Sequence, residues 1–248
     1  MASAWYLIIG DPVLNVLIAL SHVLFSNFGL AIIVLTIVIR LAMWPLTKRQ
    51  LNSTKALQTM QPKIQELQRK YGKNQQKLQQ EMMKLYKEAG VNPLGCIWPM
   101  LIQFPIWIAL YQAIMRGLAT TPDNLLSLSQ HLYSWSVISQ AIPLSSHFLG
   151  LDLAGNGNFL LAIIVGGTMW VQQRMTQGPA VDPRQESTNR MMLLMMPLMF
   201  GFLTLLFPSG LALYWAVSNI VGIITQYFVT GGWGYLKFSL PSRSAAKK

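Results

Sequence analysis

One arginine stands where an apolar stretch should carry no charge. Residues 28–46 read FGLAIIVLTIVIRLAMWPL, and Arg40 falls in the second half of that run. A guanidinium stays protonated at ordinary pH, so its charge must be answered by a partner. The acidic residues are Asp11, Glu66, Glu81, Glu88, Asp123, Asp152, Asp182 and Glu186, and none lies in an apolar run. A buried arginine with no carboxylate is unstable in a dry bundle, so it must meet water, lipid phosphate or a transient guest. Other polar residues at helical spacing suit the same place. Thr36 precedes Arg40 by one turn, and Gln103 sits between Pro99 and Pro105 in the second apolar run. Trp215, Asn219, Gly222 and Gln226 recur at 4-3-4 spacing in the last run, and Gln172 and Gln173 end the third. Each alone is more often a helix–helix hydrogen bond than a site residue. With Arg40 they describe a hydrophilic cavity that could hold and release an acidic segment. The competing reading of Arg40 is an end charge. Leu46 lies roughly 9 Å of helix rise beyond it, within reach of a snorkelling side chain.

The composition excludes most other chemistry. The single cysteine, Cys96, forms no intramolecular disulfide, and His22, His131 and His147 lack metal-ligand spacing. No phosphate-binding loop, nucleophile elbow or zinc-protease motif occurs. The expectation is a protein without covalent catalysis, nucleotide hydrolysis, metal or cofactor. With 52% hydrophobic and 11% charged residues the chain reads as polytopic and all-α rather than soluble.

Five apolar runs must position these residues: 28–46, 94–116, 158–175, 191–207 and 211–229. Prolines in the second run predict kinks that a bundle tolerates. Pro208-Ser209-Gly210 predicts a tight helical hairpin between the last two. Residues 1–27 are apolar but broken by Asp11-Pro12, a fitting helix start. From there Asn15, Ala19, His22 and Ser26 form a polar face, which predicts a helix lying in the interface; a spanning helix is the alternative.

The net charge of +11 would suggest nucleic acid in a soluble protein, but its distribution says otherwise. Ten of the cations fall in 47–93, three in 174–190 and four in the tail. Residues 1–27, 117–157 and 208–210 hold none. Basic and non-basic connections alternate, which places the N-terminus outside and the C-terminus inside, and leaves no need for a nucleic-acid site. Within 47–93, Leu57, Met60, Ile64, Leu67 and Tyr71 are spaced 3-4-3-4, and Leu78, Met82 and Leu85 follow after Gly72. Two helices pairing as an antiparallel cytoplasmic hairpin fit, with Pro62 interrupting the first or starting a new turn. Its cations Lys48, Arg49, Lys63, Arg69 and Lys70 are candidate contacts for a polar or acidic guest. An outer loop over 117–157, with a helix capped by Asp123, a cytoplasmic loop over 176–190 and a basic tail over 230–248 complete the plan.

The stretches NPLGCIWPMLIQFPIWIALYQ and FPSGLALYWAVSN resemble the YidC/Oxa/Alb family of membrane protein insertases. So does the order of parts: an apolar run with one arginine, TKRQ, a basic segment with MQPKIQELQRKYG, then four more runs. The resemblance covers about 11–232. It implies a five-helix core around a hydrophilic groove, closed toward the outside and open to cytoplasm and lipid. The family arginine falls on Arg40 and the glutamine of the second span on Gln103. The aromatic and polar positions of the last span fall on Tyr214, Trp215 and Asn219. The implied activity is insertion and assisted folding of nascent membrane proteins at a bacterial plasma membrane. The implied partners are nascent substrates, the lipid bilayer, and a Sec translocon, ribosome or signal recognition pathway. The chain shows neither the extra N-terminal span and large periplasmic domain of the two-part Gram-negative pattern nor the lipobox cysteine of many Gram-positive members. That pattern implies a compact member or the core of a longer one.

Overall fold

The computed structural model of the protein describes residues 2–72, 74–90, 97–118, 126, 128–135, 138, 144–177, 183–234 and 236. Asp123 lies outside these residues, as do 178–182 and the tail from 237; of the helix expected over 124–135, the described residues are helical at Leu126, Leu128 and Ser129 and have left the helix by Gln130. The described chain is mostly helical. In order it runs α1 (Ala2–Trp5), a π-helical turn (Tyr6–Gly10), α2 (Asp11–Val23), α3 (Phe28–Ala42), α4 (Trp44–Thr59), α5 (Gln61–Tyr71), α6 (Gln75–Glu88) and α7 (Ile97–Gly117). A two-stranded antiparallel ribbon follows, β1 (His147–Phe148) and β2 (Leu151–Asp152), then α8 (Phe159–Thr176), α9 (Pro183–Leu206) and α10 (Ser209–Thr230).

Side-chain caps set several boundaries. Asn27, Asn74 and Asn158 each accept a hydrogen bond from the backbone N–H three residues on, which starts α3, α6 and α8. Gly231, in the left-handed region at φ 76°, closes α10. Proline places the breaks. The apolar run 28–46 is not one straight helix: α3 stops at Ala42 and α4 departs at 60° from Trp44. Pro45 has no N–H to continue the ladder, and its ring would meet a carbonyl of the preceding turn. Pro62 sits in the first turn of α5, so the seam read over 57–71 is divided at Met60 between α4 and α5.

Among the described residues three helical stretches are long and apolar enough to cross a membrane: Tyr6–Val23, Glu186–Leu206 and Ser209–Thr230. The bent pair α3–α4 would add a fourth if it is one span. The start expected at Asp11 is corrected. The π turn runs straight into α2, with the N–H of Asp11 donating to Tyr6 O. The polar face expected on this helix is also not outward. Asn15 is fully buried, whereas Leu7, Ile8, Val16 and Val23 are exposed. Hydrogen-bond partners waiting inside the molecule draw Asn15 inward, and a hydrophobic environment makes outward apolar side chains costless.

The apolar core is built from α2, α3, α7, α10 and the connection between α7 and α8, with Leu17, Ile18, Phe28, Ile32, Leu110, Ile114, Leu153 and Leu211 all but inaccessible. Among the described residues none of α8 or α9 belongs to it. The turn between α9 and α10 is tight, but α9 packs along α8 and barely along α10. Small residues permit this. A Cβ on Gly166 would lie 3.2 Å from Pro197 O, and one on Gly201 3.3 Å from Ala162 O. Backbone bonds from Ser209 N to Gly155 O (2.8 Å) and from Gly210 N to Leu153 O (2.9 Å) tie that turn to the connection between α7 and α8.

The ribbon is joined by Leu149 and Gly150, both at positive φ, and delivers the buried Phe148 against Gly29 of α3. Any Cβ at Gly29 would overlap the Phe148 ring. Gly29→Ala is therefore expected to lower stability by about 1–3 kcal/mol through overpacking. The check is a thermal melt in detergent, where an unchanged midpoint would refute the close approach.

Candidate functional site

Arg40 lies in the last turn of α3, where the helix is about to bend away. Its Nε donates to Ser218 Oγ of α10 at 2.7 Å. Four residues earlier on α10, the buried Tyr214 accepts a hydrogen bond at its hydroxyl from Nε2 of Gln103 on α7. Three helices remote in sequence are thus joined by polar side chains beside the guanidinium. Among the described residues no hydrogen-bond acceptor meets either Nη group of Arg40. The carboxylate contacts there are Glu81 with Lys84 (2.9 Å) and Asp11 with His131 (3.0 Å), and neither involves Arg40. The guanidinium is half-buried, so its outer fork remains a cation with directed N–H donors and no resident anion. Thr36 is fully buried one turn away and returns its hydroxyl to Ile32 O at 2.6 Å. It supplies small polar bulk on the same side of α3 without bonding the arginine.

The polar stripe expected on the last helix is divided between two environments. Trp215 joins an aromatic cluster with Trp107 (5.7 Å between centroids), Phe200 and Phe207 (both 5.8 Å). Phe104 and Tyr111 extend it along α7. Tilted and edge-on rings at these separations contribute about 0.5–1.5 kcal/mol per pair beyond burial. The cluster links α7, α9 and α10. Asn219 instead faces α8, where its Nδ2 donates to Thr168 Oγ1 at 3.2 Å and approaches Val165 O at 3.4 Å. One turn on, Gly222 leaves room for Gln172. Another turn on, Gln226 donates to Thr176 Oγ1 at 2.8 Å. Asn219, Gly222 and Gln226 therefore form a polar seam with Thr168, Gln172 and Thr176. Gln173, on the other side, donates to Met196 Sδ at 3.3 Å.

Ser218 is the member of the arginine cluster that the sequence did not single out. Serine is common in membrane helices, and its neighbour Asn219 is the stronger polar signal. The usable clue was spacing, because Ser218 stands four residues from Tyr214 and shares its face.

The cations of α4 and α5 are arranged differently. Lys48, Arg49, Lys63, Arg69 and Lys70 are all exposed, and among the described residues none meets a carboxylate. Lys70 and Lys77 both lie 5.4 Å from the Tyr71 ring, which binds the ends of α5 and α6. The hydrogen bond from Lys84 holds the Glu81 carboxyl below the ordinary range and raises Lys84 in turn. Burial raises the Tyr86 phenol. Among the described residues no group of His, Cys, Asp and Glu could hold a metal ion. What these groups can do is attract, orient and release an anionic or hydrated segment.

Comparison with known proteins finds relatives over most of the chain. The family model described as 60Kd inner membrane protein matches residues 20–233. The curated membrane protein insertase YidC of Actinobacillus succinogenes is 37% identical over 229 residues, which is 92% of this chain and 38% of that protein. That of Nitratidesulfovibrio vulgaris is 34% identical over 226 residues, 91% of this chain and 38% of the relative. That of Tolumonas auensis is 38% identical over 225 residues, 91% and 36% respectively. The chain thus spans less than two-fifths of the length of these relatives.

Proposed function

The chain belongs to the 60Kd inner membrane protein family, and from that premise we propose that it is itself a membrane protein insertase working without covalent catalysis or nucleotide hydrolysis. The observation that carries the reading is Arg40, tethered through Nε to Ser218 while its outer fork meets no resident anion. The spans over 28–46, 94–116, 158–175, 191–207 and 211–229 form the core. The N-terminus is outside with residues 1–27 along the outer interface, and the C-terminus is in the cytoplasm of a bacterial cell. The basic segment over 47–93 is a cytoplasmic antiparallel hairpin whose lysines and arginines meet a nascent membrane protein at the lipid surface.

The short hydrophilic tail of the guest, often acidic, then enters a groove lined by Arg40, Thr36, Gln103 and Tyr214. Water there shortens the apolar distance that the tail must cross. In a site of reduced dielectric the guanidinium attracts a carboxylate strongly, while water keeps the pair exchangeable. The aromatic cluster around Trp215 closes the outer end. Asn219 and Gln226 hold α8 to α10 and so fix the width of the groove. The apolar segment of the guest moves into lipid, driven by burial at about 25 cal/mol per Å². The membrane potential adds up to ~2.3 kcal/mol per charge per 100 mV for an acidic tail moving toward a positive outside. A Sec translocon, ribosome or signal recognition pathway would deliver the guest.

The test is reconstitution of the protein alone in liposomes, followed by protease protection of a small single-span substrate with an acidic tail. Insertion by wild type, reduced when residues 50–88 are deleted, is the expected outcome. No insertion by wild type would overturn the proposal in favour of a folding chaperone.

A further inference from the structure

Among the described residues, the non-glycine positions at positive φ are Phe25 (60°), Ser26 (54°) and Leu149 (48°). Phe25 and Leu149 are also the two most exposed large apolar side chains of the described chain, at 92% and 86%. A bulky residue in the left-handed region is strained by its own Cβ, and glycine or asparagine ordinarily takes such a place. Neither residue offsets that strain by packing, because both side chains are bare. An outlier of this kind points to surroundings that the chain does not itself supply.

Both residues sit at the tips of tight turns. Leu149 and Gly150 (φ 78°) form the two-residue link between β1 and β2, with Phe148 opposite Leu151. A two-residue turn with both φ values positive favours Asn-Gly, and here leucine holds the first position. Phe25 and Ser26 link α2 to α3. The two turns are neighbours, because Asn27 bridges to Ser145 and Phe148 lies against Gly29. They make one surface beside the N-terminal end of α3.

That surface continues a lipid-facing one. Val23, 69% exposed, ends the stretch Tyr6–Val23 that is apolar enough to cross a membrane, and Phe25 follows it directly. Ser26, His147 and Asp152 are exposed alongside, which marks a change from apolar to polar surroundings. Residues 1–27 and 117–157 hold no Lys or Arg, so no cation there can fix the level by meeting lipid phosphate. We propose that Phe25 and Leu149 are a two-pronged anchor seated in the acyl region just beneath the lipid headgroups. Arg40 lies about 18 Å of helix rise along α3 from Phe28, so the anchor also sets the depth of the guanidinium in the bilayer. The anchor shares no residue with the Arg40 cluster, and its test needs no insertion activity.

The test places a nitroxide at one site at a time, by Phe25→Cys, Leu149→Cys or Met83→Cys in a Cys96→Ser chain. The chain is reconstituted in vesicles of phosphatidylethanolamine and phosphatidylglycerol. Collision with oxygen, which concentrates in lipid, is compared with collision with a water-soluble nickel chelate. Met83 is an exposed apolar residue on the polar helix α6 and serves as the aqueous reference. The oxygen-to-nickel ratio is expected to be severalfold higher at 25 and 149 than at 83. A ratio equal to that at 83 at either site would overturn the anchor. Shielding from both reagents would overturn lipid as the occupant in favour of a protein partner. A second label, Val38→Cys on the exposed side of α3, reads depth. Phe25→Asn with Leu149→Asn suits both left-handed positions and removes both prongs, and it is expected to shift the ratio at 38. An unchanged ratio there would overturn the depth-setting role. Should Cys96→Ser fold poorly, the spectrum of the labelled wild-type chain is subtracted instead.

Discussion

Arg40→Ala is expected to cut the insertion of an acidic-tailed substrate by about ten- to a hundredfold, the loss of one or two charge-assisted hydrogen bonds to a guest carboxylate. The same variant should barely affect a substrate whose tail acids are replaced by Asn and Gln. Arg40→Lys keeps the charge but has no Nε–H for Ser218 and no planar fork, so it should recover only part of the rate. Ser218→Val tests the tether separately. The guanidinium then keeps its charge and loses the 2.7 Å bond that aims it, and a fall of about threefold is expected. Initial rates of protease-protected product in liposomes, measured against both substrates, decide the matter. Full activity of Arg40→Ala on the acidic tail would remove charge capture from the mechanism. Equal losses on both tails would reduce Arg40 to a structural role.

Asn15→Leu is expected to be the most destabilising single change where α2 meets the connection between α7 and α8. Asn15 is fully buried and makes three polar contacts. Its Nδ2 donates to Asp11 O (2.7 Å) and to His131 O (2.8 Å), and its Oδ1 accepts from Tyr133 N (2.8 Å). Leucine fits the volume but orphans a part-buried carbonyl and a part-buried N–H of the connection between α7 and α8, at a cost of about 2–4 kcal/mol. Around this clasp, Tyr6 packs on His131 at 5.2 Å and Arg116 lies 4.4 Å from the Tyr6 ring. Losing Asn15 should free residues 128–135 before the helices separate. A lower melting midpoint with new proteolytic cutting in that segment is the expected result. An unchanged midpoint with the segment still protected would show that the neighbouring contacts suffice.

Both cases show what kind of information the sequence carried. Arg40 was conspicuous because charge in an apolar run is rare and the acidic residues could be counted one by one. Asn15 was visible as a polar residue, but its direction was misjudged, since helical periodicity groups residues on a face without saying what the face meets. The same limit divided Trp215 from Asn219 and Gln226. Their 4-3-4 spacing is real, yet the stripe crosses from an aromatic cluster to a seam with α8. The break at Pro62 was legible because that proline stands in a polar, helix-patterned segment. The bend at Met43 was hidden because the apolar run continues through Pro45, and hydropathy does not register a missing N–H. The continuous π turn before Asp11 was hidden for the opposite reason: Asp-Pro reads as a helix start even when a preceding helix flows into it.

The absence of α8 and α9 from the apolar core has a mechanical meaning. Beside the apolar packing of Leu161, Ala162, Val165 and Met175, these two helices are clipped to the remainder by directional bonds, Asn219 to Thr168 and Gln226 to Thr176, with the aromatic rings at one end. Hydrogen bonds of that kind are short-ranged and give way abruptly, whereas apolar contact yields gradually over area. The wall they form is fastened like a row of snaps on a solid frame. It can part from the frame one fastening at a time and close again in the same register, because the donors Asn219 and Gln226 meet acceptors at fixed places along α8.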